Sequence, residues 1–226
     1  MVKRGVACLL LALAVTAACS DEETGPDPGS ARLRVVHADP LMSPIDVLLD
    51  SSEVASDLGY LTATEYLEVE AGRHQLTFVD TTGGSPDTPE VDFADGGDYT
   101  VLACCSTFPG STVLEDDNGT PPAGLGKIRV VHFASMGAVD IYVTEPGLDL
   151  ELETPLLAAV EFFEVTDYLQ VTAGGYQIRL TQAGTKTVLV DSGFLSVESG
   201  QVRTAIAADA VGGGEPFGLL VLEDVN

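Results

Sequence analysis

The chain of 226 residues carries 35 acidic and 10 basic side chains, a formal charge of −25 at neutral pH. That balance excludes nucleic acid as a partner, since its backbone is gripped chiefly by Lys and Arg, and a hydrophobic fraction of 45% excludes a disordered chain. The length suits two domains of about 100 residues each.

Lys3 and Arg4 open the chain, Val6 to Val15 is apolar, and Ala17 and Ala18 precede Cys19. A membrane-spanning helix needs about 20 apolar residues, so residues 1–18 read as a signal peptide. The segment VTAACSDEE resembles the lipobox of bacterial lipoproteins. That resemblance implies acylation of Cys19 as the mature N-terminus and a lipid-anchored protein of the bacterial cell envelope. Ser20, where inner-membrane sorting would want aspartate, points the expectation to the outer membrane. Residues 19–30, acidic and rich in Pro and Gly, read as a flexible tether between the lipid and the first domain. Loss of the leader takes two of the ten basic residues, leaving eight against 35 acidic ones and a formal charge of −27.

From Arg32 the chain is written twice. RLRVVHADPLMSPIDVLLD recurs as KIRVVHFASMGAVDIYVT from Lys127, setting His37 on His132 and Asp46 on Asp140. TEYLEVEAGRHQLTF recurs as TDYLQVTAGGYQIRL, with Thr64 on Thr166, Tyr66 on Tyr168 and Gly72 on Gly174. Gly97 then falls on Gly200, and VLED occurs at Val113 and again at Val221. Landmarks in one order at slowly growing spacing indicate a tandem duplication with small loop insertions.

Each copy reads as short strands. Leu33, Val35 and His37 alternate with Arg32, Arg34 and Val36, and Leu67 and Val69 alternate with Glu68 and Glu70. In the second copy Ile128, Val130 and His132 repeat the pattern, followed by Leu169 and Val171 and by Tyr176, Ile178 and Leu180. Period-two alternation broken by AGR, AGG and DGGD predicts antiparallel sheets with one buried face. The fold class is all-β: two tandem Ig-like antiparallel β-sandwich domains. TPLLAAVEFFEV at 154–165 also fits a helical stripe, but its counterpart SDLGYLTAT does not, so a strand is expected there. DDNGTPPAGLG is rich in breakers. The expected organisation is therefore repeat 1 at 31–117, a linker at 118–126 and repeat 2 at 127–226.

The runs RVVHADP…IDVLLD, YLEVEAG and YTVLA, with RVVHFAS…VDIYV and YLQVTAG in the second copy, resemble the bacterial Domain of Unknown Function 4397 family. The resemblance implies secreted or envelope-attached β-domains, often in tandem, and no known activity. The second copy lacks counterparts of Pro40 and Pro44, which leaves the conformation of its 133–138 loop open.

Four residues stand out as repeated polar pairs. His37 and His132 are in phase with apolar Val35 and Val130, so each imidazole should point inward or toward a sheet edge and bond to Asp46 or Asp140, or to a loop carbonyl. A catalytic alternative adds Ser43 and Ser135 to make Ser–His–Asp sets for an envelope hydrolase, although no nucleophile elbow is present. Zinc would need three or four clustered ligands, which His37, His74 and His132 do not provide. Cys104 and Cys105 invite a vicinal disulfide, but they align with Ala207 and Ala208 and also suit small buried side chains. The turns at Glu115–Gly119 and Asp92–Asp98 read as solvated, with calcium the alternative, and Asn118 reads as a turn residue. No metal or cofactor is expected. The expected role is a non-catalytic binding or structural module, contacting the membrane through its lipid and an envelope protein or a glycan through its surface. The alternative is a carbohydrate-binding module, for which Tyr60, Tyr142 and Phe162 offer stacking platforms.

Overall fold

The computed structural model describes residues 29–82, 88–104 and 111–224. The first repeat holds β1 (Ser30–His37), β2 (Ile45–Leu49), β3 (Ser52–Leu58), β4 (Leu67–Glu70), β5 (Gly72–Asp80), β6 (Glu90–Phe93), β7 (Asp98–Ala103) and β8 (Ser111–Glu115). The second holds β9 (Leu125–Phe133), β10 (Val139–Thr144), β11 (Leu157–Val160), β12 (Leu169–Thr172), β13 (Gly174–Gln182), β14 (Val188–Asp191), β15 (Leu195–Val197), β16 (Val202–Ala208) and β17 (Gly218–Glu223). The doubtful segment after Thr154 forms β11, as its repeat partner requires. Among the described residues one 3-10 turn, at Leu150–Leu152, interrupts the β structure.

Each repeat folds into two sheets. In the first they run β4-β1-β7-β8 and β3-β2-β5-β6; in the second, β12-β9-β16-β17 and β11-β10-β13-β14, with β15 also on β13. Leu33, Val35, Ile45, Val47, Leu76 and Phe78 fill the first sandwich; Ile128, Val130, Ile141, Ile178 and Leu180 fill the second. The sheets are not purely antiparallel. β1 lies parallel to β7, and β9 to β16, because in both copies the last long strand returns beside the first from the same end.

One-face burial does not hold for the first sheet of either repeat. Val36, Leu102 and Leu114 on the far face of one meet Val131, Phe133, Ile206 and Leu222 on the far face of the other, forming a third core. All six residues of β7 and all seven of β16 are consequently buried. The molecule is four layers deep, two inner sheets between two outer ones. Each buried apolar side chain contributes about 1.5–3 kcal/mol, so pulling the repeats apart would expose a core rather than a wetted contact.

Candidate functional site

The repeated histidines sit at the ends of β1 and β9, and both are fully buried. Val35 and His37 share a strand face, so His37 enters its own sandwich. There its Nδ1 accepts from the Asp39 amide at 3.3 Å, and Nε2 donates to the Ser43 carbonyl at 3.1 Å. In the second repeat His132 Nε2 donates to the Gly137 carbonyl at 2.7 Å, while Nδ1 has no hydrogen-bond partner. Burial pushes the His37 pKa below its ordinary value, against the Ser43 carbonyl and the charges of Asp39 and Asp80. The imidazole is a neutral peg that pins a loop to a strand end.

The carboxylate half of the expected pair is elsewhere. Ile45 and Val47 point into the core, so Asp46 between them leaves by the opposite face of β2. Its Oδ1 accepts from the Asp57 amide at 2.9 Å, and Asp140 accepts from the amides of Ala159 and Gly184 at 2.9 and 2.8 Å. Of the two partners expected for each imidazole, the loop carbonyl takes the bond and the aspartate does not. The Ser–His–Asp sets fail with it, since neither aspartate bonds to its histidine and Ser43 meets His37 through its main-chain carbonyl.

A second constellation joins the repeats. Arg34 Nη2 donates to Thr100 Oγ1 at 2.8 Å, and Thr100 Oγ1 donates to Asp116 Oδ2 at 2.6 Å. Asp116 Oδ1 is bound by Arg129 of the second repeat, whose Nε and Nη2 reach Thr204 Oγ1 at 3.2 and 3.1 Å. Thr204 donates to Asp224 Oδ2 at 2.8 Å, and Asp224 Oδ1 accepts from Arg34 at 2.6 Å. The bonds close into a ring: Arg34, Thr100, Asp116, Arg129, Thr204, Asp224. Its symmetry is that of the duplication, because the parallel registers set Arg34 beside Thr100 and Arg129 beside Thr204. Tyr66 and Tyr168 cover the two guanidinium groups at 4.5 and 4.6 Å. Burial pushes both phenols well above their ordinary pKa and raises Asp224, against the pull of Arg34.

Sequence reasoning assigned Arg34 to the outward face of β1, which is where it lies. It missed that this face meets another protein layer. The available signal was the repeated Arg of RVVH together with the repeated Asp of VLED. Clefts of about 650 and 490 Å³ flank the ring, and several of the charges lining them are paired: Arg32 with Asp98, Asp117 with Lys127 and Glu223 with Arg203.

The remaining sites resolve as follows. The turn at Glu115–Gly119 is not simply solvated, since Asp116 is buried in the ring and the Asn118 side chain donates to Tyr66 and Asp98. Cys104 is buried in the third core. The registers pair Ala103 with His37 and Ala207 with His132, so Cys104 corresponds to Ala208, one residue beyond the sequence alignment. Cys105 lies outside the described residues, and the vicinal disulfide with it. Cys19, the signal peptide and most of the tether lie outside them too. Of the stacking platforms, Tyr142 is buried beneath Lys186 and Tyr60 donates to the Asp209 carbonyl at 2.7 Å. Burial pushes the Tyr60 pKa up to about 12, helped by the charges of Asp209 and Asp39. Phe162 is exposed.

Among known families the chain matches the one described as "Domain of unknown function (DUF4397)", over residues 31–142 and 143–226. The junction of the two matches falls within β10, whereas strand pairing separates after β8. No curated protein matches the chain.

Proposed function

We propose that this chain, which belongs to the DUF4397 family, is a non-catalytic binding or structural module of the bacterial cell envelope. Lipid on Cys19 holds it to the membrane, and residues 19–30 stand the body off from the surface. The observation that carries this reading is the closed ring at the repeat junction. Its charged and hydroxyl groups are buried and bonded to one another, and the repeated histidines are committed to loop carbonyls. Residues repeated in both copies build the body. The acidic surface, clear of nucleic acid and of anionic headgroups, suits a protein or glycan partner.

Two experiments test this. Metabolic labelling with an alkynyl fatty acid should mark the wild-type protein and not Cys19→Ser; equal labelling of both would remove the anchor. Photo-crosslinking from introduced diazirine residues in intact cells, read by mass spectrometry, should capture a recurrent envelope partner. Lysine-directed reagents suit this chain poorly, because Lys127 is paired with Asp117 and Lys186 with the Glu153 carbonyl. Turnover of an envelope substrate by a purified sample, lost on mutation of a surface residue, would overturn the non-catalytic reading.

A further inference from the structure

The second repeat has an open seam beside an edge strand shorter than its counterpart in the first. In the first, β3 runs seven residues along β2, and Val54, Ala55 and Leu58 pack onto the core. Its counterpart β11 has four residues and meets β10 at two positions only. A groove of about 270 Å³ opens between β11 and the segment leading into β12. These are the edges of the outer and inner sheets, so the groove looks into the sandwich between them. Leu157, Val160, Val165 and Leu169 supply its apolar lining; Glu164 and Asp167 are the charged residues on it, and no basic side chain lines it among the described residues.

The bend at this seam is common to both repeats: Ala159 near the end of β11 and Phe163 beyond it take positive φ, as do Asp57 near the end of β3 and Leu61 beyond it. What differs is the cover. Tyr60 is tied to Asp209, whereas Phe162 at its position is 41% exposed and packs at a tilt against Phe163, 40% exposed, with ring centroids 4.0 Å apart. An apolar patch therefore continues from the groove around the turn.

We propose that this seam docks an extended segment of a partner protein, lying beside β11 as an added strand. Aliphatic side chains enter the groove, and Lys or Arg flanking them reach around to its rim to meet Asp167 and the Oε1 of Glu164, whose Oε2 accepts from the Glu161 amide at 2.6 Å. Strand addition uses an open sheet edge for affinity and pockets at every second residue for specificity. The carboxylates on a body of net charge −25 select a basic segment. The inference deepens the module reading above, and rests on it, by naming the partner's chemistry.

The probe is an acetylated, amidated octapeptide of alternating Val and Lys, titrated into isotope-labelled full-length protein and followed by amide chemical shifts. Shifts confined to 157–169 are expected. Glu164→Lys with Asp167→Lys should weaken binding about tenfold or more through like-charge contact. Glu53→Lys with Glu68→Lys, an equal change of charge on the first repeat, should leave it within about twofold. All four side chains are exposed, and the amide spectrum of each unbound variant reports that the fold is kept. Equal weakening by both pairs would reduce the binding to general attraction and overturn the proposal. So would a silent peptide, or a chitin oligosaccharide that shifts Phe162 and Phe163 in its place. A partner cross-linked in cells from positions remote from the seam would sink the seam and leave the module reading standing.

Discussion

A buried imidazole that accepts from one main-chain amide and donates to one main-chain carbonyl is committed to structure on both nitrogens. His37 is in that position, and its removal should be costly. His37→Ala leaves the Asp39 amide and Ser43 carbonyl short of a partner and opens a cavity, a loss of about 2–4 kcal/mol by urea unfolding. Its pH dependence has a definite sign. Burial holds the folded pKa below that of an unfolded histidine, about 6.5, so the unfolded chain binds the proton first. Stability should therefore fall as pH drops below about 6.5, and His37→Asn should flatten that slope. His74 acts in the opposite sense: burial lowers its pKa, but the bonds to Asp50 and the Glu70 carbonyl outweigh burial and raise it. Comparing wild type with His37→Asn isolates the first effect. At the ring, Arg34→Ala leaves the buried Asp224 carboxylate without its guanidinium and should cost about 3–5 kcal/mol. Arg32→Ala, from a guanidinium 41% exposed, should cost about 0–1 kcal/mol. The inward phase of the histidines was legible because Val35 and Val130 share it. Which of the two expected partners takes the bond, aspartate or loop carbonyl, was not, since a strand period says which face a side chain leaves by and nothing of which loop meets it.

Among the elements, the junction between β4 and β5 shows what duplication preserves and what it lets drift. Ala71 alone separates strands of two different sheets, so AGR is a corner between layers rather than a hairpin turn. Gly72 turns it with φ +127, a value foreign to L side chains, although a Cβ there would meet nothing within 4 Å. Gly174 holds the same place outside that region. Gly72→Ala should cost about 1–3 kcal/mol through backbone strain, whereas Gly174→Ala should cost about 0.5 kcal/mol or less; paired thermal melts decide it. Strand positions were legible from alternation and repetition together, and β11 was identified by its counterpart when its own pattern was ambiguous. The parallel pairing of β1 with β7 was not legible, because partners distant in sequence leave no mark on local periodicity.

At the scale of the molecule, face-to-face packing of the inner sheets turns two copies of a sandwich into one body. The third core and the ring do different work. The core supplies the apolar burial. The ring fixes register, because a shift of one sheet over the other would strand Asp116 and Asp224 without their arginines, a far larger loss than any surface pair. A family match in two consecutive segments speaks for the duplication but not for this joining, which depends on side chains as far apart in sequence as Arg34 and Asp224. Calorimetry of the full-length protein tests the joining most directly. One transition is expected, with calorimetric and van't Hoff enthalpies equal for the whole body, and Arg34→Ala should lower that transition without splitting it. Two separable transitions in the wild type, with Arg34→Ala moving only one, would contradict a single body held by its repeated residues.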